Sequence, residues 1–183
     1  MEVPTDKGSL RRWAGDRRRH LTIESDAVVA GLRAFLRQHD LGDGWVLTYR
    51  PMAGEIDLDP LLTEQRCAVT RTRPGGVLTV HPADAPTERH RYGYLQPVAD
   101  APLVPVEEIA VVLVPGALFD RHGHRLGHGM GYYDRLLARL APEVPRVGVV
   151  PAALVIDDLP VEPHDITMTH LATEAGVTSI RSR

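Results

Sequence analysis

The chain has 183 residues, enough for one ordinary globular domain that buries a core without disulfide bonds. Its 43% apolar and 25% charged residues lie near globular averages, which argues against a disordered or fibrous protein. The net charge of −3 argues against a nucleic-acid partner, and the single cysteine suits a reducing compartment. We find no signal peptide and no apolar run of membrane-spanning length, so we expect a soluble, cytoplasmic protein without a membrane partner.

The first third of the chain predicts two helices and the start of a sheet. A helix is expected over 4–21, with Asp6 near its amino end, and a second over 26–38, where Ser25 is a candidate cap. Glycines at 42 and 44 break the chain. The segment WVLTYR, 45–50, predicts a strand, and 57–65 a short helix.

The remaining elements alternate between apolar strands and one further helix. The run IAVVLVP, 109–115, is continuously apolar and β-branched, which is typical of a parallel strand buried on both faces. Residues 81–108 read as a loop with brief extended pieces. The other predicted elements are strands at 67–72, 77–81, 146–150 and 170–174, the last as an edge strand, and a helix at about 130–140.

This alternation predicts an α/β fold: a three-layer α/β/α single domain with a mostly parallel central sheet, Rossmann-like in type. We expect the domain to span 1–183, with amino-terminal helices over 1–40. The sheet core would then occupy 45–183 and carry a phosphate loop at 125–134.

The segment RLGHGMGYYDR, 125–135, places glycines at 127, 129 and 131 ahead of a predicted helix. Glycines let backbone amides converge on an anion, and a helix amino end adds partial positive charge. Arg125 could clamp phosphate oxygens, and Asp134 could hold a magnesium ion that bridges phosphates. Tight turns alone would also explain these glycines, and the segment is neither a Walker loop nor the dinucleotide fingerprint.

Lys7, Arg11 and Arg18 lie within about 40° of one another around the first predicted helix. Such a stripe is either a solvated face or a set of counter-charges for phosphates bound elsewhere on the chain. A nucleic-acid module using the basic run 11–19 is disfavoured by the net charge and by the few aromatic residues. The nine histidines form no zinc motif with the cysteine or with one another.

The segment VPGALFDRHGHRLGHGMGYYDRLLARL, 114–140, resembles the signature of the 5-formyltetrahydrofolate cyclo-ligases, also called methenyltetrahydrofolate synthetases. Three further segments resemble the family: KGSLR at 7–11, MAGEIDLDPLL at 52–62 and LPVEPHDITMTHLATEAGV at 159–177. The resemblance implies an ATP- and Mg²⁺-dependent ligase of one-carbon metabolism. It would close 5-formyltetrahydrofolate to 5,10-methenyltetrahydrofolate and release ADP and phosphate.

The resemblance also implies roles for individual residues. Arg125 and Asp134 would be the catalytic pair, and Asp134 with Asp165 would hold magnesium. Met52, Glu55 and Tyr133 would contact the folate. The nucleotide would be bound by Lys7, Arg11, Arg125, Leu126, Gly127, His128, Gly129, Met130, Gly131 and Tyr132. The residue types alone leave other readings open, namely that Asp165 caps a turn, Glu55 is a solvated loop acid and Tyr133 is a core residue.

The chain departs from the family pattern at several positions. His128 stands where Arg or Tyr is usual and Met130 where Gly or Lys is usual, Gln96 replaces a usual Glu, and Leu58 replaces a usual Thr. These departures raise an alternative function, that of a catalytically weak or inactive relative that binds folate or nucleotide. We expect a monomer.

Overall fold

The protein is described here by a computed structural model that covers residues 3–180, so residues 1–2 and 181–183 of the predicted domain lie outside the described part. Its helices are α1 (Lys7–Arg18), α2 (Ser25–Gln38) and α3 (Tyr132–Leu137). Its strands are β1 (Trp45–Thr48), β2 (Cys67–Arg73), β3 (Val77–Pro82), β4 (Thr87–Arg89), β5 (Leu95–Pro97), β6 (Ile109–Pro115), β7 (Leu118–Asp120), β8 (Arg125–Leu126), β9 (Arg146–Val149), β10 (Val155–Ile156), β11 (His170–Thr173) and β12 (Gly176–Ser179).

Seven strands form the main sheet in the order β12-β11-β9-β6-β1-β2-β3. The four pairings from β11 through β2 are parallel, and the two outer pairings, β11 with β12 and β2 with β3, are antiparallel. Two smaller sheets accompany it, β10-β7-β8 and the hairpin β4-β5. The fold is therefore α/β with a mostly parallel central sheet, as the sequence predicts.

Alternate residues of β6 face opposite sides of the sheet. Val112 and Val114 pack in a cluster with residues of α1 and α3, whereas Val111 and Leu113 pack in a second cluster with residues of α2. Because successive strand side chains point to opposite faces, a strand covered on both sides must be apolar at every position. The unbroken run 109–115 has this composition, and the helices lie in two layers around the sheet.

The amino ends of the first two helices differ from each other in how they are capped. Asp6 caps α1, since its Oδ1 accepts a hydrogen bond of 2.9 Å from the Ser9 amide. The prediction that Ser25 caps α2 is wrong: Ser25 is the first helical residue, and its hydroxyl accepts the Asp57 amide at 2.9 Å. The first helix is also shorter than the predicted 4–21.

Three other predicted elements need correction. The helix expected over 57–65 is a single 3₁₀ turn, Asp59–Leu61, and the helix expected over 130–140 is limited to α3. The strand at 170–173 is not an edge, because β12 continues the sheet beyond it. Strands β7 and β8 were not predicted, since two- and three-residue strands carry too few positions to show a period.

No helix within residues 3–180 combines the length and apolar character needed to cross a bilayer. The predicted division into helices over 1–40 and a sheet core over 45–183 stays a prediction.

Candidate active site

One large cavity, of about 780 Å³, opens beside the carboxyl ends of the parallel strands. Tyr49 follows β1 and Pro115 ends β6, so both central strands deliver residues to its wall. Open α/β sheets bind ligands at this edge. Besides the predicted site residues, the wall contains Arg50, Thr70, Thr72, Leu78, His90, Arg91, Tyr92, Tyr94, Glu162 and His164.

All the site residues predicted from the sequence line this one cavity. They come from five separate parts of the chain: α1, the turn after β1, the glycine segment, α3 and the carboxyl-terminal segment. They are Lys7, Arg11, Met52, Glu55, Arg125, Leu126, Gly127, His128, Gly129, Met130, Gly131, Tyr132, Tyr133, Asp134 and Asp165.

Glycine residues shape the loop 127–131. Gly129 has φ +93° and Gly131 has φ +62°, conformations that side chains with a Cβ rarely adopt. Among the described residues, no amide of 127–131 donates a hydrogen bond to another protein group, although most polar backbone in a fold is paired. The loop therefore offers unpaired amide donors at the cavity. The helix that follows has six residues, so it adds less dipole than the predicted longer helix would.

Two cationic side chains of α1 contact this loop and the carboxyl-terminal segment that contains Asp165. The Arg11 Nε donates to the Gly127 carbonyl at 2.9 Å, and a Cβ on Gly129 would lie 3.3 Å from the Arg11 Cζ. The Lys7 Nζ lies 2.9 Å from Asp165 Oδ2 and 3.1 Å from Glu162 Oε1. Although burial opposes it, these two partners raise the pKa of Lys7. The predicted stripe is thus a set of inward-facing charges rather than a solvated face.

Arg125 and Asp134 bind each other. The Arg125 Nη2 donates to Asp134 Oδ1 at 3.0 Å and to Oδ2 at 2.9 Å, with side chains only 6% and 15% exposed. The Arg125 Nε is buried without a partner among the described residues. A Cβ on Gly127 would lie 2.5 Å from Arg125 Nη1, so the guanidinium packs directly against the glycine loop. That Arg125 clamps phosphate and that Asp134 binds magnesium stay predictions.

Glu55 is not a solvated loop acid. Its side chain is 5% exposed, its Oε2 accepts the Met52 amide at 2.9 Å, and its Oε1 is buried with no hydrogen-bond partner among the described residues. The imidazole of His128 lies nearby, with its Nε2 3.8 Å from Glu55 Oε1. An unsatisfied buried carboxylate oxygen is costly, and Glu55 lines the cavity. That it contacts the folate stays a prediction.

Tyr133 combines both readings that the sequence left open. It packs against the core cluster that contains α1 and α3, and it also lines the cavity. Its hydroxyl is buried beside the Thr70 side chain, and burial raises the pKa of this phenol well above its usual range. Tyr133 therefore stays a neutral hydrogen-bonding group at ordinary pH.

The two predicted metal ligands fall into different clusters. Asp165 lies with Glu162 and His164, and one ligand atom of each residue lies within 4.8 Å of the others. Asp134 belongs to the Arg125 pair and is not part of this group. Asp165 also accepts the Glu162 amide at 2.8 Å, so its turn-capping role is real as well. Glu162 and His164 were missed, although they lie within three residues of Asp165 in the sequence.

The sequence predicted brief extended pieces within a loop over 81–108, but not that two of them, β4 and β5, pair as a hairpin. His90, Tyr92 and Tyr94 line the cavity, and the His90 and Tyr94 rings stack with centroids 4.5 Å apart. Pairs between strands of three residues leave little trace in the sequence, because their contacts come from tertiary packing.

Two of the four departures from the family pattern lie away from the cavity. Leu58 is fully buried in the core, and Gln96 is a buried residue of the hairpin strand β5, where it contacts Thr72 and Glu88. Met130 lines the rim of the cavity with its side chain 58% exposed, so it does not fill the glycine loop. Gln96 and Leu58 therefore do not line the cavity, whereas His128 and Met130 do.

The chain matches the model of the 5-formyltetrahydrofolate cyclo-ligase family over residues 18–174. It is 42% identical over 84 residues to 5-formyltetrahydrofolate cyclo-ligase of Mycolicibacterium smegmatis, an alignment that covers 44% of this chain and 43% of the relative. It is 36% identical over 87 residues to the mitochondrial 5-formyltetrahydrofolate cyclo-ligase of Arabidopsis thaliana, covering 42% and 31%. These alignments thus span less than half the length of either relative.

Solved structures extend the similarity along the whole fold. The structure of 5,10-methenyltetrahydrofolate synthetase from Aquifex aeolicus aligns with a TM-score of 0.80 at 30% identity, covering 97% of this chain and 94% of that one. A synthetase of the same kind from Mycoplasma pneumoniae shares the fold with a TM-score of 0.74 at 20% identity, covering 92% and 98%.

Proposed function

This chain belongs to the 5-formyltetrahydrofolate cyclo-ligase family, and from that premise we propose that its cavity binds ATP and 5-formyltetrahydrofolate side by side. The observation that carries the proposal is the loop 127–131, whose unpaired amides share one cavity wall with the unsatisfied Glu55 oxygen. The amides are donors for phosphate oxygens, and the carboxylate is an acceptor for the polar edge of a folate.

The reaction would proceed by positioning and charge neutralisation, without an enzyme nucleophile. The formyl oxygen would take the γ-phosphoryl group as ADP leaves. The side-chain nitrogen of the folate would then attack the formyl carbon, so that a C–N bond forms and the C–O bond breaks. The oxygen would depart as phosphate, which takes up the proton that the nitrogen loses. Arg11, Lys7 and the loop amides would hold the phosphates, and Met52, Glu55 and Tyr133 would orient the folate.

A magnesium ion fits the carboxyl-terminal segment better than the predicted pairing of Asp134 with Asp165. Glu162 and Asp165 offer carboxylate oxygens within one group, and oxygen is the ligand type that magnesium prefers. The Lys7 ammonium now bridges these two carboxylates. We propose that they hold the ion and that Lys7 then turns to phosphate. When bound, the ion would neutralise phosphate charge.

The test is to mix the protein with 5-formyltetrahydrofolate, ATP and Mg²⁺ and to record the absorbance of the methenyl product together with ADP release. We expect both signals to rise in equal molar amounts and to require all three components. Calorimetric binding of ATP and folate without either signal would instead support the second candidate, a binding relative without turnover. That candidate draws on His128 and Met130, which stand where the family usually has Arg or Tyr and Gly or Lys, respectively. Cytoplasmic location and the monomeric state stay predictions.

A further inference from the structure

Arg18, the last residue of α1, belongs to the predicted cationic stripe but is not assigned to either ligand above. Its Nη2 donates to the Gly116 carbonyl at 2.8 Å and to the Ala117 carbonyl at 3.4 Å. These two residues follow β6 directly, next to the cavity-lining Pro115. One guanidinium therefore ties the end of α1 to the carboxyl end of a central strand.

The same side chain packs against the turn 52–55. A Cβ on Gly54, which has φ +80°, would lie 2.9 Å from both Cγ and Cδ of Arg18, so the arginine stem fills the space at that glycine. The turn is closed by the Glu55 amide, which donates to the Met52 carbonyl at 3.0 Å. It is also closed by the Met52 amide, which donates to Glu55 Oε2. A shift of the Arg18 stem would therefore move this turn and, with it, the Glu55 carboxylate.

Arg18 also places a positive charge behind that carboxylate. Burial lowers the pKa of Arg18, and the negative charge of Glu55 opposes this change, as expected for two charges that interact through protein rather than water. The Arg18 Nε is itself buried without a partner among the described residues. Burying a charged group is costly unless it is paired, and the two carbonyls leave the Nε of this guanidinium unpaired.

We propose that Arg18 is a positioning residue that fixes the turn 52–55, so that the free Glu55 oxygen faces the folate in the cavity. The inference rests on the proposed function, because it assigns a task to Arg18 at the same substrate site. Arg18 is not among the residues that line the cavity and would act through Gly54 and Glu55. The proposal predicts that replacing Arg18 weakens folate binding without weakening ATP binding, because ATP binding depends on Arg11 and the glycine loop.

The experiment compares Arg18→Lys, Arg18→Met and a control on the same helix, Arg17→Met. Arg17 is exposed; it donates to the distant Ala153 carbonyl at 3.1 Å and its Cζ lies 5.1 Å from the centroid of the Trp13 ring, so its loss removes contacts away from the cavity. Arg18→Met keeps most of the stem but removes the charge and its hydrogen bonds. We expect it to raise the KM for 5-formyltetrahydrofolate about tenfold or more, and that for ATP by less than about twofold.

Arg18→Lys retains the charge and should show a smaller rise in folate KM, and Arg17→Met should match the wild type. The decisive measurement is a double-mutant cycle with Glu55→Gln. If Arg18 acts through Glu55, Arg18→Met should add less than about twofold to the folate KM once Glu55 is already Gln. Equal rises in both KM values, or an undiminished effect in the Glu55→Gln background, would overturn the inference.

Failure of the proposed function gives a different result. If the wild type shows no turnover, the cyclo-ligase proposal is lost, and the same cycle is then measured as folate affinity by calorimetry. Selective loss of folate affinity in Arg18→Met still supports the positioning role, whereas unchanged affinity, or no folate binding by the wild type, removes it. If Arg18→Met fails to fold, Arg18→Lys alone carries the comparison with Arg17→Met.

Discussion

Gly129 provides the most direct test of the phosphate loop. The change Gly129→Ala places a Cβ at φ +93°, a conformation that costs a residue with a side chain about 1–2 kcal/mol. The new methyl would also lie 3.3 Å from Arg11 Cζ and 3.5 Å from its Nε, so the guanidinium that bonds the Gly127 carbonyl must move by a few tenths of an ångström. Strain and displacement therefore act on the same loop.

Gly176→Ala is the matched control. Gly176 has φ +107°, nothing lies within 4 Å of its hypothetical Cβ, and it begins β12 away from the cavity. Both substitutions should lower the melting temperature by roughly 2–8 °C, since 1 kcal/mol corresponds to about 2–4 °C in a chain of this size. The two variants thus share the backbone strain and differ in the contact with Arg11.

Steady-state kinetics separate the two effects. In Gly129→Ala we expect the KM for ATP to rise about tenfold or more, with the KM for folate changed by less than about twofold, because the amide donors no longer fit phosphate oxygens. Gly176→Ala should leave both values at the wild-type level. Equal ATP affinity in the two variants, at equal loss of stability, would refute the assignment of 127–131 as the phosphate loop.

Three further predictions concern the charged and thiol groups. Asp134→Asn removes the charge opposite the Arg125 guanidinium, which is 6% exposed. It should lower the free energy of unfolding, measured by denaturant titration, by about 1.5–3 kcal/mol, and it should reduce turnover. Unchanged values would contradict a structural and catalytic role for this pair. Burial raises the pKa of Asp165, but hydrogen bonds from the Lys7 ammonium and the Glu162 amide outweigh burial and hold this pKa below its usual range. The contribution of Asp165 to stability is therefore present above about pH 4 and is lost as the pH falls further. In thermal melts recorded as a function of pH, Lys7→Met should reduce the fall in melting temperature at acid pH. A fall equal to that of the wild type would exclude the Lys7–Asp165 pair as the cause. Burial raises the pKa of Cys67 to about 12, so this thiol should resist alkylation at pH 8 in the native protein and be modified in the unfolded chain. Mass spectrometry measures the modification, and rapid labelling of the native protein would contradict the packing around this thiol.

The site could be predicted to different depths in its different parts. The signature 114–140 is contiguous, so its glycines, Arg125 and Asp134 could be assigned from residue order alone. The partner of Asp134 could not, because nothing in a linear pattern says that Arg125 donates to that carboxylate twice. Likewise, the sequence carries Glu162 and His164 beside Asp165, but only the fold brings this group against Lys7.

By itself, the sequence determined the alternation of strands and helices, because burial on both faces demands an unbroken apolar run and burial on one face demands a period. The sequence also determined where glycine allows backbone conformations that other residues rarely adopt, and it carried the family signature. The tertiary structure alone decided the strand order, the hairpin at the rim of the cavity and the burial of Glu55. These features depend on contacts between segments far apart in the chain, and the burial and pairing of a charge are properties of its surroundings, which local residue order does not encode.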